Sequence, residues 1–226
     1  MNWFEELLNN RALQTALPEA IWETIVMVAI AGVATVIIGG VIGIILHLTR
    51  PGGLAPMRVL YIILSSIIVN ITRSIPYAIL MVALIPFTQW LIGTSIGPIA
   101  ATVSLTIATA PFFARLVETA LREVPSGTVD AAQVMGMSNG QIVSKVFLPE
   151  ALPGLISAIT NTTVVLIGYS AMAGLIGGGG LGRLAYNYGY QRFDSQVMIV
   201  TIVVMVIGVQ LIQWIGDKIV AAVDHR

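Results

Sequence analysis

Residues 24–46 read TIVMVAIAGVATVIIGGVIGIIL, a run without a single charged side chain. At 1.5 Å per residue a helix of that length measures about 35 Å, enough to cross the roughly 30 Å hydrocarbon core of a bilayer. Working outward, the same signature recurs. From Val59 the chain is apolar, interrupted by Arg73, and then uncharged as far as Ala114, too long for one helix and divided by Pro86, Gly93, Gly97 and Pro98. Ala151 to about 176 and Gln196 to about 216 supply two more charge-free runs. The pattern predicts an all-α polytopic membrane protein. Its five transmembrane helices fall at about 22–48, 58–85, 98–122, 151–176 and 196–217. Between them lie a neutral turn at 87–97, a cytoplasmic loop at 123–150 and an outer connection at 177–195.

Composition narrows the chemistry. Of 226 residues, 57% are hydrophobic and 10% charged, against about 25% charged in a soluble domain. Mean hydropathy is +0.92, and 11 basic side chains balance 11 acidic ones, which argues against nucleic acid as a partner. There is no cysteine, and His47 and His225 are far apart, so no disulfide, no thiolate or histidine metal site and no cysteine nucleophile is expected. No GxxxxGK[ST] occurs, so the chain supplies no Walker-type nucleotide site. Gly177, Gly179 and Gly182 spell GxGxxG, but they follow a membrane helix rather than a strand. The sequons at Asn70 and Asn161 fall inside spans, where no glycan fits.

Basic residues set the orientation. Arg50, Arg58, Arg115, Arg122, Lys145, Lys218 and Arg226 fall on one side, and Arg11, Arg183 and Arg192 on the other. The richer side is predicted to be cytoplasmic. Residues 1–20, with Glu5, Glu6 and Glu19, form an outer, partly amphipathic flank that does not look like a cleaved signal; 214–226 end the last span inside. Glu23, Glu118 and Glu150 read as edge positions, which leaves no carboxylate deep in any span. That argues against an ion-coupled carrier or an intramembrane hydrolase and puts the energy source on another molecule. Arg73 is the exception, near the middle of the second span. Pro76 should kink that helix and free carbonyls for the guanidinium. Arg73 is either a pore- or interface-facing cation or a hydrogen-bond hub in helix packing. Gly39 and Gly43 form a GxxxG pair suited to close helix approach.

The loop between the third and fourth spans is patterned. Thr128 or Ser126 can cap a short helix that Gly136 ends; Ser138 and Gln141 form a capping box for a second helix, which Pro149 closes. Val129, Ala132, Met135, Ile142, Val143, Val146 and Phe147 recur at helical spacing, as a ridge for a partner's groove or as a hairpin lying on the membrane surface.

Asp130-Ala131-Ala132, Gly136, Ile142 and Leu148-Pro149 resemble the "EAA" loop of bacterial type I ABC importer permeases, with Asp130 in place of the more usual Glu. From about Trp22 to the C-terminus the chain is similar to the methionine-importer branch. The residues that carry this include Thr49-Arg50-Pro51-Gly52, Arg73-Ser74-Ile75-Pro76, Ile85-Pro86-Phe87-Thr88, Gly168-Tyr169-Ser170-Ala171-Met172 and Tyr186-Asn187-Tyr188-Gly189-Tyr190.

The resemblance implies the type I ABC importer permease fold, inner-membrane location, and uptake of L- and D-methionine by alternating access. Its implied partners are a second copy of the chain, two ATPase subunits that hold ATP and Mg, a periplasmic or lipid-anchored substrate-binding protein, and membrane lipid. Asp130, Ala131, Ala132, Gly136, Ile142, Leu148 and Pro149 are the expected ATPase-coupling residues. Met172 is the gate candidate or an interhelical filler, with Ser170, Tyr169, Asn161 and Arg73 as pathway candidates. Gly179, Gly180, Tyr188 and Tyr190 are candidates for docking the binding protein, or part of an interfacial aromatic belt. The rival readings are an importer of another small solute and a membrane scaffold that transports nothing.

Overall fold

The computed structural model describes residues 9–224, among which every regular element is helical. Glu5, Glu6, His225 and Arg226 lie outside the described residues. Helix α1 (Arg11–Thr49) spans 39 residues with Pro18 inside it, so it begins within the expected outer flank. At about 58 Å it is longer than a bilayer core is thick.

The second expected span is not one rod. Helix α2 (Arg58–Ser74) carries a nine-residue π segment at Ile63–Ile71 and meets α3 (Tyr77–Ala83) at a bend of 101°. A kink was expected at Pro76, and the chain breaks instead. Ile75, placed before a proline, takes extended angles (φ −87°, ψ 124°) and cannot continue the helix. Helix α4 (Ile85–Ile92) occupies much of what reads as a neutral turn at 87–97. Pro86 sits in its first turn, where a missing N–H costs nothing, and Gly93 ends it at φ +83°.

Helix α5 (Pro98–Arg122) leads through a short turn to α6 (Ser126–Val134) and α7 (Asn139–Ile142). Helix α7 runs on through a π turn at Val143–Phe147 into Leu148–Glu150. Pro149 therefore opens a helical turn rather than closing one. Helix α8 (Leu152–Leu175) follows. The connection at 177–195, expected to be outer, is itself largely helical, as α9 (Gly180–Leu184) extended by a π turn at Ala185–Tyr190, and α10 (Ser195–Val223) is the last described helix. Among the described residues four helices are long and apolar enough to cross a membrane, or five if the bent α2–α3 pair is one span.

The chain packs as two units. One takes the residues up to Val33 with Pro76–Ile107 and Thr163–Ile212; the other takes Ala34–Ile75, Ala108–Thr162 and the residues from Gln213. In the second unit α1 and α5 meet along small residues. The Thr35 and Thr109 hydroxyls are 2.7 Å apart and fully buried. A Cβ on Gly39 would lie 2.5 Å from the Ala110 carbonyl oxygen, and one on Gly43 2.6 Å from that of Ala114. Only glycine permits that approach. In the first unit the core joins Ala12, Ala20, Leu181, Leu184 and Val197.

The outward faces are apolar. Trp22, Val33, Ile37 and Val41 on α1 and Ile202, Val206, Leu211 and Trp214 on α10 are all exposed. In water such an array would cost about 25 cal/mol per Å². In hydrocarbon it is the solvated surface.

Candidate functional site

The α6–α7 hairpin has two faces with different tasks. Ala132, Ile142, Val146 and Phe147 are buried in a core with Phe113, Val117, Leu121 and Ala158. The apolar ridge expected to meet another protein is therefore mostly spent inside this chain, which corrects the reading of Ala132 and Ile142 as contact residues. What projects is the other face: Asp130 and Ala131 are exposed, as are Val134 (89%) and Met135 (73%). Gly136 and Pro149 are exposed too, and Leu148 is half-buried.

Local hydrogen bonds fix the bend. Helix α6 starts after Pro125 with no side-chain cap, so neither Ser126 nor Thr128 caps it. At its end Met137 N–H donates to Ala132 O (3.1 Å) and Gly136 N–H to Gln133 O (2.9 Å), with Gly136 at φ +77°. This pair of bonds needs a left-handed residue. Ser138 and Gln141 make the reciprocal capping box that the spacing predicts.

Behind the hairpin lies a cluster the sequence did not disclose. Glu118 is an edge residue by position, but it is 1% exposed and takes Arg115 Nη1 and Arg122 Nη2 on its two oxygens, each at 2.5 Å. Arg122 Nη2 also donates to Tyr61 Oη on α2 (3.3 Å). Arg50, just past α1, has its pKa lowered by burial and then by the Arg122 guanidinium, with Glu118 opposing. His47 is buried against Phe147 of the hairpin. The spacing Arg115-x-x-Glu118-x-x-x-Arg122 was the available signal, since residues three and four apart share a helix face.

On α8, Asn161 and Gly168 are exposed and Met172 is half-buried, all on one stripe at helical spacing. Ser170 points elsewhere: it is buried and donates to Ile167 O (2.8 Å). Tyr169 stacks flat on Tyr77 at 4.3 Å between centroids, and Tyr77 Oη lies 3.2 Å from Ser104 Oγ. That ties the start of α3, just past the break, to α5 and α8.

Arg73 is exposed, with its guanidinium carbon 5.8 Å from the Phe112 ring centroid. Among the described residues it donates no hydrogen bond to the freed carbonyls of α2, which corrects the reading of those carbonyls as its partners.

In the 177–195 connection Gly179 and Gly180 are buried, against Pro98, Glu23 and Thr24, so neither glycine presents a surface for docking in this chain. They shape the turn, at φ +86° and +70°. Gly180 N–H donates to Glu23 Oε2 (2.6 Å), Leu181 N–H to Thr24 Oγ1 (2.9 Å) and Arg183 to both Glu23 oxygens (3.1 Å). Tyr190 is 64% exposed and stacks with Tyr186, while Tyr188 is half-buried under the Arg192 guanidinium. Phe193, which the sequence reading did not single out, is the most exposed ring here, at 85%.

A chain of long apolar helices joined by such a hairpin has a match among known families. The family model described as binding-protein-dependent transport system inner membrane component covers residues 52–226. The chain belongs to this family.

As an inner membrane component it has relatives along almost its full length. It is 50% identical over 224 residues to a probable D-methionine transport system permease protein of Vibrio cholerae, covering 99% of this chain and 96% of that one. It is 48% identical over 182 residues to the methionine import system permease protein of Bacillus subtilis, covering 80% and 82%. A solved chain from inward-facing conformations of the MetNI methionine ABC transporter superposes with a TM-score of 0.93 at 48% identity, over 96% of this chain and all of that one. The permease fold, multi-pass and all-α, is thus that of an ABC importer component of the inner membrane.

Proposed function

We propose that this permease is the membrane-spanning subunit of an ATP-driven methionine importer, taking L- and D-methionine inward by alternating access. Two copies pair about a two-fold axis, with the path between them and one ATPase subunit under each hairpin. ATP and Mg are held by those ATPases. The N-terminus is outside and the C-terminus cytoplasmic.

The observation that carries this reading is the division of the α6–α7 hairpin. Its inner face is fused to the core through Ile142, Val146 and Phe147, while Asp130, Ala131, Val134 and Met135 stand free. A segment so built transmits force without bending, because packed interiors do not deform continuously. Closure of the ATPases on nucleotide moves the two hairpins together and swings α5 and α8, to which they connect. The two states must differ in their contacts with the ATPase, since a partner with equal affinity for both shifts nothing.

Met172 supplies the gate, on the α8 stripe that also carries Asn161 and Gly168. An unbranched thioether fills an irregular constriction and yields when the helices move. Tyr169 steadies that level through its stack on Tyr77, and Arg73 faces the path rather than lipid. On the outer side Tyr190, Tyr188 and Phe193 receive the substrate-binding protein, with Gly179 and Gly180 holding the turn beneath them.

Proteoliposomes containing this chain, its ATPase and its binding protein test the proposal. ATP-dependent accumulation of labelled methionine is expected. Uptake by the chain alone, or uptake that survives deletion of 126–136, would overturn it.

A further inference from the structure

A cavity of about 230 Å³ lies between α1 and α9, lined by Glu19 and Ala20 on one side and Gly180, Arg183, Asn187 and Tyr188 on the other. At about 30 Å³ per water it has room for about eight water-sized groups, so its occupant is small. Its walls carry both signs of charge. Glu23, one helical turn beyond Glu19 on the same face, is fully engaged by Gly180 and Arg183. Glu19 has no hydrogen bond or ion pair among the described residues. Arg183 gives only its Nη2 to Glu23, and a guanidinium has five N–H donors in a planar fork. The cavity therefore offers an unpaired, solvent-exposed carboxylate on its α1 wall and spare guanidinium and amide donors on its α9 wall. Tyr188, with the Arg192 guanidinium 4.3 Å from its ring centroid, forms part of the α9 wall.

We propose that this cavity binds a compact zwitterion: a primary ammonium held by Glu19, joined through a short linker to an anionic oxygen group held by Arg183 and Asn187. A lone cation would leave the guanidinium and amide donors unused, and a lone anion would sit beside the Glu19 carboxylate. Two molecules have this chemistry, a free α-amino acid and the headgroup of an aminoethyl phospholipid. The exposed Trp22 on the next turn of α1 and the tyrosines of α9 are the residue types that settle at headgroup depth. The site's placement on the outer face rests on the orientation proposed above.

The test uses the whole transporter complex in nanodiscs of two compositions, one rich in phosphatidylethanolamine and one in which phosphatidylcholine replaces it. The trimethylated choline cannot donate a hydrogen bond to Glu19. Native mass spectrometry counts retained lipid, and equilibrium dialysis of labelled L-methionine in the choline discs measures solute binding.

Glu19→Gln is expected to lower one of the two by about tenfold, the scale of a lost charge-assisted hydrogen bond. Asn187→Ala should lower the same one by less, and unfolding midpoints should be unchanged for both. Loss of retained phosphatidylethanolamine assigns the site to lipid; loss of methionine binding assigns it to the cargo. If neither probe is held, or both variants hold it as the parent does, the proposal fails. Both readouts are binding measurements, so they stand whether or not the complex imports methionine.

Discussion

His47 and Phe147 meet edge to face, ring centroids 4.6 Å apart and planes at 77°, 100 positions apart in sequence. One closes the first membrane helix and the other lies in the π turn that returns the hairpin toward the membrane. Both are buried, at 2% and 4%. The contact ties the element expected to receive force to the helix wall expected to move.

Phe147→Ala should therefore uncouple before it unfolds. Truncating a buried phenylalanine costs about 3–5 kcal/mol in soluble cores. The expected result is a large drop in ATP-driven uptake, with Phe147→Leu keeping most of it. ATPase rate and uptake measured on the same proteoliposomes check this; equal uptake from the Ala and Leu variants would remove the role.

Glu118 holds Arg115 and Arg122 from a buried position while both arginines are partly exposed, at 35% and 44%. Glu118→Gln keeps the shape and removes the charge. A loss of about 1–3 kcal/mol is expected, discounted toward the lower end because the arginines can turn to water. The thermal midpoint in detergent measures it, and Glu118→Asp should fall between the two.

Gly43→Val should block assembly of the bundle, because its Cβ alone meets the Ala114 carbonyl at 2.6 Å and the Val117 Cβ at 2.7 Å. Gly168→Ala, with nothing within 4 Å, should express and fold like the parent. Yield and size-exclusion profile separate the two. A monodisperse Gly43→Val protein would contradict the close α1–α5 seam.

The chain has no cysteine, so single replacements report cleanly. Ala131→Cys and Val134→Cys should react fast with a water-soluble maleimide and crosslink to the ATPase, abolishing uptake once crosslinked. Ala132→Cys, at 1% exposure, should label at least about tenfold more slowly. Equal labelling of all three would mean that the hairpin is not packed as described.

Hydrophobic runs between charges placed the membrane helices, because a bilayer demands length and apolarity and both are visible in one dimension. Turn chemistry was equally local: Gly136 at φ +77° and the Ser138–Gln141 box follow from residues three positions apart. Which side of a helix faces inward was not local. Periodicity gave the α6–α7 ridge, but whether a partner or this chain covers it depends on Phe113, Val117 and Ala158, which come from other helices.

The break at Ile75–Pro76 shows the same division. Proline alone announces a disturbance; its size, 101°, depends on how α3 packs once released, including the Tyr77 stack on Tyr169. Glu118 and Glu23 read as edge acids by position, yet one is buried between arginines and the other anchors α9 from 157 positions away. Chain order therefore determined the membrane crossings, the caps and the family motif, since each depends on neighbours within a turn or two. Burial, charge pairing and the cavity beside Glu19 were decided by tertiary structure, because each needs side chains that only folding brings within a few ångströms.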